Sequence, residues 1–170
     1  MITFSAQPYA LHGIHVLRLP QETSAKLSSR GQIMVTGEID SKKFTAPLEP
    51  DGQGGHWLDV TSLTKNNVDN VSVSLEPAET WPEPAMPREF TDMLGSSLEA
   101  RGTWDKATPM AHWEWLRWIS STKNPDTYQK RIAVSRSKLE KGMRRPCCFN
   151  RASCTVAAVS KSGILIDPRE

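Results

Sequence analysis

Three cysteines near the end of the chain are the residues whose chemistry is easiest to recognise. Arginines flank them on both sides, and positive charge next to a thiol favours its reactive thiolate form. A redox-sensitive or catalytic cysteine is therefore one interpretation, and thiols packed in a tail that docks on the helices are the other. The candidates cluster within eight positions, at Cys147, Cys148 and Cys154.

The cysteine spacing does not match a structural zinc site. Such sites usually separate their first two cysteines by about two to four residues and need four ligands. Here Cys147 and Cys148 are adjacent, and no histidine follows them. The four histidines of the chain are scattered along it. The pattern therefore predicts neither a metal nor a bound cofactor.

A glycine-rich loop at residues 51–57, with the sequence DGQGGHW, is a second candidate site. Backbone without Cβ atoms can approach an anion closely through its N–H groups. A phosphate-binding loop normally leads into a helix, whereas this loop leads into a segment with the pattern of a strand. The alternative is a tight connection between strands with local packing. The candidate ligand-binding residues of the loop are Asp51, Gly54, Gly55, His56 and Trp57.

Three tryptophans occur within six residues, at Trp113, Trp115 and Trp118, with Arg117 among them. Aromatic side chains mixed with basic ones are typical of surfaces that bind nucleic acid, so Trp115, Arg117 and Trp118 are further candidates for ligand contact. On a helix, Trp113 and Arg117 would be neighbours in which the cation lies near the ring. The alternative is that Trp115 and Trp118 pack into a core beside Ile119.

Positive charge is concentrated in residues 130–151, which contain eight Lys or Arg side chains and a single acidic one. This asymmetry indicates an anionic partner, and nucleic acid is the obvious one. The alternative is a solvated helix face. The candidate basic patch consists of Lys130, Arg131, Arg144, Arg145 and Arg151.

The first part of the chain has the pattern of a small β domain. Val71, Val73 and Leu75 alternate with polar residues, as in a strand with one buried face. Several other short apolar segments are separated by turn-forming residues, which favours a small barrel or sandwich. A short helix at 21–29 is predicted to turn Ala25 and Leu27 inward.

The second part has the pattern of a helical module. Four prolines between residues 77 and 87 predict an extended linker. Thr108 and Asn124 each precede a proline, which is the signature of a capped helix start. Leu98 and Trp104 are predicted to face inward on an earlier helix.

We therefore predict an α+β protein with a small N-terminal β-barrel at residues 1–79. A helical module follows at 80–145, and a cysteine-containing tail occupies 146–170. No segment approaches the roughly 20 apolar residues of a membrane span. The first residues lack the pattern of a signal peptide, so we expect a cytoplasmic location.

Together these motifs resemble the YdeI/OmpD-associated family, also called the bacteriocin-protection family, in the form that follows a small domain of unknown function. For the first domain the resemblance rests on PDGQGGHWL at residues 50–58. For the helical module it rests on WPEP at 81–84, WLRWI at 115–119 and RRPCCFNR at 144–151. The resemblance implies a barrel similar to the double-split barrels of AbrB-like proteins. It also implies a role in resistance to cationic antimicrobial peptides, with no agreed catalytic residues.

We accordingly expect a non-enzymatic resistance protein that binds a protein partner or a small ligand where the 51–57 loop meets the tryptophan helix. One alternative is a nucleic-acid-binding regulator that uses residues 130–151. The excess of acidic side chains in residues 1–79 disfavours DNA docking through the barrel. A second alternative is a thiol-dependent enzyme or redox sensor, although no base or orienting partner for the thiol is evident.

Overall fold

The computed structural model describes residues 1–65, 69–147 and 149–170. They form two compact units. The sheet unit comprises residues 1–80, 150–154 and 158–170, and the helical unit comprises residues 81–149 and 155–157. The sequence predicts that the tail docks on the helices, but most of its residues belong to the sheet unit.

Seven strands form the sheet, in the order β1-β7-β4-β5-β6-β3-β2 with every neighbouring pair antiparallel. The two edge strands are separated along the chain by only Gln7 and Pro8. This short connection requires the sheet to curl, and the result is a half-barrel. The predicted α+β class with an N-terminal barrel is confirmed in this form. The strands are β1 (Ile2–Ala6), β2 (Tyr9–Leu11), β3 (Ile14–Arg18), β4 (Ile33–Ile39), β5 (Lys42–Pro50), β6 (His56–Asp59) and β7 (Val71–Pro77).

The concave core of the sheet unit follows from the alternation of apolar residues. Val71, Val73 and Leu75 are buried on β7, as predicted. The short helix α1 (Gln21–Ser24) ends after one turn, so the chain leaves the helix before Ala25. Ala25 is therefore exposed, contrary to the prediction, whereas Leu27 is buried.

The helical unit contains four helices: α2 (Arg88–Gly95), α3 (Leu98–Asp105), α4 (Pro109–Ser120) and α5 (Pro125–Glu140). The predicted caps are confirmed. Thr108 Oγ1 accepts a hydrogen bond from the Ala111 amide at 3.2 Å, and Asn124 Oδ1 accepts one from the Asp126 amide at 2.9 Å. Each cap satisfies an amide that has no partner within its own helix.

Trp115 is fully buried at the centre of the helical core, together with Phe90 and Ile119. Trp118 is only half-buried and packs at the edge of this core. The prediction for Leu98 is wrong, because this side chain is 89% exposed. The buried face of α3 is defined by Ala100 and Trp104, and a residue two positions before Ala100 points to the opposite side.

The tail adds two short paired strands to the sheet unit, β8 (Ser160–Lys161) and β9 (Ile164–Leu165). Each of these strands is only two residues long. Among the described residues, no helix is both long and apolar enough to cross a bilayer.

Candidate functional site

The carboxylate of Asp51 organises the glycine-rich loop. Its Oδ1 atom accepts hydrogen bonds from the amides of Gln53 at 2.7 Å and Gly55 at 2.8 Å. Its Oδ2 atom lies 3.5 Å from the guanidinium of Arg18 on β3. The Asp51 side chain is only 2% exposed, so these partners replace the water that it loses on folding. Two amides that an anion-binding loop would present to a ligand are therefore bonded within the loop.

The same loop holds the C-terminal tail. The Leu165 amide donates to the Asp51 carbonyl at 2.9 Å. Gly52 adopts a φ of +81°, and a Cβ atom at this position would overlap the carbonyl oxygen of Gly163. Only glycine therefore allows this close approach without strain. The glycine content of the loop thus has a structural cause in the docking of the tail.

Arg18 links the loop to the end of the tail. Besides Asp51, its guanidinium contacts Glu170 at 2.6 Å and Asp167 at 3.7 Å. The Asp167 side chain is 3% exposed, and its hydrogen bonds to Arg169 lower the pKa of this carboxyl. Sequence reasoning missed Arg18 and Asp167. The one available signal was an arginine at the end of an otherwise apolar strand.

His56 and Trp57 are both buried inside the sheet unit. The Nε2 atom of His56 lies 3.0 Å from the Gly31 carbonyl, and its backbone amide donates to Ser24 Oγ at 3.1 Å. Burial lowers the pKa of His56. Neither His56 Nδ1 nor Trp57 Nε1 has a hydrogen-bond partner among the described residues. Binding of a ligand by these two residues, and by Gly54 and Gly55, stays a prediction.

The three tryptophans lie on α4 in the helical unit. The indole nitrogens of two of them donate hydrogen bonds to backbone carbonyls far away in the sequence. Trp115 Nε1 donates to the Arg144 carbonyl at 3.0 Å, and Trp113 Nε1 donates to the Pro82 carbonyl at 2.7 Å. Arg117 is 8% exposed. Its Nε atom donates to Thr155 Oγ1 at 3.2 Å, and its guanidinium lies 5.8 Å from the centre of the Phe149 ring. The aromatic neighbour of the Arg117 guanidinium is therefore Phe149, whereas the sequence predicted Trp113.

His112 forms a cluster that sequence reasoning missed. Its Nδ1 atom lies 2.6 Å from the Glu83 carboxylate, and its Nε2 atom lies 2.9 Å from the Trp104 carbonyl. The imidazole also stacks on the Trp104 ring, with 3.9 Å between centroids and an interplanar angle of 11°. These contacts fix the proline-rich segment against α3 and α4. No sequence spacing indicated the pair, because Glu83 and His112 are 29 positions apart.

The residues of the predicted basic patch belong to both units, and two of them make contacts within the helical unit. Arg131 Nη1 donates to the Trp118 carbonyl at 2.8 Å and to Ser121 Oγ at 2.7 Å, so it closes the end of α4. Arg145 Nε lies 3.4 Å from the buried Glu114 carboxylate. Lys130 and Arg144 are exposed in the helical unit, whereas Arg151 belongs to the sheet unit.

The described cysteines lie in different surroundings. Cys147 is exposed in the helical unit, and Lys138 Nζ donates to its Sγ atom at 3.1 Å. Cys154 is buried in the sheet unit, where its amide donates to the Gly163 carbonyl at 2.7 Å. The predicted role of Cys148 lies outside the described residues. Within residues 1–65, 69–147 and 149–170, no group of three His, Cys, Asp or Glu side chains could hold a metal ion.

Comparison with known protein families gives two matches. Residues 83–142, which contain α2 to α5, match the family described as bacteriocin-protection, YdeI or OmpD-associated. Residues 4–67, which contain β2 to β6, match a domain of unknown function, DUF1905. Comparison with individual curated proteins finds no match. The resemblance inferred from the sequence motifs is thus confirmed for both parts of the chain.

Replacing Arg131 by Ala is expected to destabilise the helical unit by about 1–2 kcal/mol, because the last turn of α4 loses two charge-assisted hydrogen bonds. The matched control is Lys130→Ala, which removes an exposed cation from the adjacent position of the same helix. Its expected effect is within about 0.5 kcal/mol. Urea unfolding monitored by circular dichroism measures both. Equal effects of the two substitutions would contradict the capping role of Arg131.

Acidification is expected to destabilise the sheet unit through His56. Burial holds its pKa below the ordinary value of 6.5, so the unfolded chain takes up a proton more readily than the folded one. The contribution of His56 is therefore complete above about pH 6.5 and is lost as the pH falls below it. The decrease in the free energy of unfolding between pH 7.5 and 5.5 should be smaller in His56→Gln than in the wild type. Identical pH dependence in urea unfolding of the two proteins would contradict this assignment.

Proposed function

We propose that this chain, a member of the bacteriocin-protection, YdeI or OmpD-associated family joined to a DUF1905 domain, protects a bacterial cell against antimicrobial peptides by binding a partner. The observation that carries the proposal is the family match of residues 83–142. The chemistry of the matched unit favours binding over catalysis.

The titratable groups inside the helical unit are engaged in contacts that hold its fold. Both ring nitrogens of His112 already face acceptors, on Glu83 and Trp104. A general base must exchange a proton with its substrate, and His112 would have to give up one of these bonds to do so. The Glu114 carboxylate is similarly placed beside Arg145. Because these groups are used to hold the fold, we favour a rigid binding module.

The contacts of the basic side chains favour a partner other than nucleic acid. Affinity for nucleic acid depends on several cations that displace counterions from phosphates. Arg131 and Arg145 are used inside the helical unit, and Lys138 Nζ lies 5.4 Å from the centre of the Trp118 ring. Much of the positive charge is therefore engaged in contacts that hold the helical unit together.

A thiol-dependent role is the second candidate, and a specific contact favours it. Lys138 Nζ lies 3.1 Å from the exposed Cys147 sulfur. An ammonium group at this distance stabilises a negatively charged sulfur. Cys147 is therefore the residue to test when binding and thiol chemistry are compared.

The proposal is tested by deleting the gene from its own bacterium and measuring growth in a graded series of a cationic antimicrobial peptide. Deletion should lower the inhibitory concentration, and expression of the wild-type chain should restore it. Cys147→Ser and His112→Gln, expressed to wild-type levels as folded proteins, should restore it equally well, because a binding role needs neither a thiol nor an exchangeable imidazole proton.

Two results would contradict the proposal. Unchanged peptide sensitivity in the deletion strain would remove the protective role. Loss of protection in a folded Cys147→Ser variant would indicate that the protein acts by thiol chemistry and not by binding. This change retains the shape of the side chain but removes the nucleophilic sulfur.

A further inference from the structure

The strand β1 forms one edge of the seven-stranded sheet. It pairs with β7 alone, and among residues 1–65, 69–147 and 149–170 no backbone hydrogen bond reaches its outer side. The strand contains neither a charged residue nor a proline, which are the usual means of preventing an edge from pairing with another chain. An edge without such protection is able to accept a further strand.

The opposite edge of the sheet, at β2, is less suited to pairing. This strand is only three residues long. The tail of the same unit lies beside it, because the Tyr9 hydroxyl donates to the Ile166 carbonyl at 3.0 Å and His12 Nδ1 lies 2.7 Å from the Ala158 carbonyl. A partner strand is therefore expected at β1.

The hydrogen bonds of β7 show which residues of β1 point outward. In an antiparallel pair, the N–H and C=O groups of one residue point to the same side. The Ser72 amide donates to Asp40 Oδ1 at 3.0 Å, and the Ser72 carbonyl accepts from the Asp40 amide at 3.1 Å, so both groups point away from β1. The backbone of its β1 partner Ser5 is therefore not bonded to β7, and by alternation the same holds for Thr3. Thr3 and Ser5 direct their N–H and C=O groups outward, and both residues are exposed.

These two residues lie symmetrically about Phe4, so the edge is complementary to a second copy of itself. When two β1 strands pair antiparallel about an axis at Phe4, Thr3 of one copy faces Ser5 of the other, and each such pair exchanges two hydrogen bonds. On the other face of the strand, Phe4 meets its own counterpart and Ile2 meets Ala6. These three apolar side chains are only partly buried in the single chain, so pairing covers apolar surface.

We propose that two copies of this chain form a dimer through β1, with their sheets joined into one. The formal net charge of +2 at pH 7 gives little repulsion between the copies. One short strand from each copy makes a small interface, so we expect the dimer to be weak and reversible. The surface lies in the sheet unit, and the inference does not depend on the protective role proposed for the family of the helical unit.

Amide hydrogen exchange of the wild-type chain tests this pairing. At about 1 mM the Thr3 and Ser5 amides should be protected, because they gain carbonyl partners in the dimer, and dilution to about 10 µM should reduce this protection. The Phe4 amide, which already faces β7, should be protected at both concentrations. Sedimentation velocity should show the dimer at the higher concentration. Unprotected Thr3 and Ser5 amides there, or a monomer, would overturn the proposal.

A charge swap tests the register of the two strands. Thr3→Lys with Ser5→Lys places a lysine opposite a lysine in both pairs and should weaken dimerisation about tenfold. Thr3→Glu with Ser5→Lys places opposite charges at the same positions and should bring the affinity within about threefold of the wild type.

Ser72→Lys is the matched control, because Ser72 is exposed on the same face of the neighbouring strand but away from the edge. This variant should dimerise like the wild type. All the substituted side chains are exposed, so each variant should fold, and circular dichroism checks this. Equal dimerisation of the Lys–Lys and Glu–Lys variants, or an equal effect of Ser72→Lys and the Lys–Lys variant, would also overturn the proposal.

Discussion

The buried carboxylate of Asp51 is the interaction centre on which the glycine-rich loop and the docking of the tail depend. Burying an isolated carboxylate is very unfavourable, so its partners must be in place whenever the unit is folded. Those partners are two amides of its own loop and the guanidinium of Arg18. Because Arg18 also contacts Asp167 and Glu170, the same network ties the tail to the half-barrel. The loop, β3 and the tail therefore form one cooperative arrangement.

The helical unit follows the same principle with different residues. His112 joins the proline-rich segment to α3 and α4, and Arg131 closes the end of α4. Residue types that suggest chemistry in the sequence are thus used to hold distant segments together. Because the buried polar groups hold the fold together, we do not expect them to be the residues that bind a ligand. Exposed side chains are better places to seek a ligand.

The sequence predicts well those features that depend on neighbouring residues. The caps at Thr108 and Asn124 and the alternation on β7 are local patterns, and all are confirmed. Contacts that depend on tertiary structure were not predictable in this way. Glu83 and His112 are 29 positions apart, and Arg18 and Glu170 are 152 apart. Such pairs come together only after the chain has folded, so no spacing in the sequence reveals them.

Hydrogen exchange at the Leu165 amide, which donates to the Asp51 carbonyl, measures whether the Asp51 loop holds the tail. Asp51→Ala removes the carboxylate that shapes the loop. Asp59→Asn is the control, because Asp59 is an exposed acid of the same unit whose side chain bonds only to Thr61 among the described residues. We expect Leu165 to lose protection in folded Asp51→Ala and to keep it in Asp59→Asn. Full protection of Leu165 in folded Asp51→Ala would contradict this expectation.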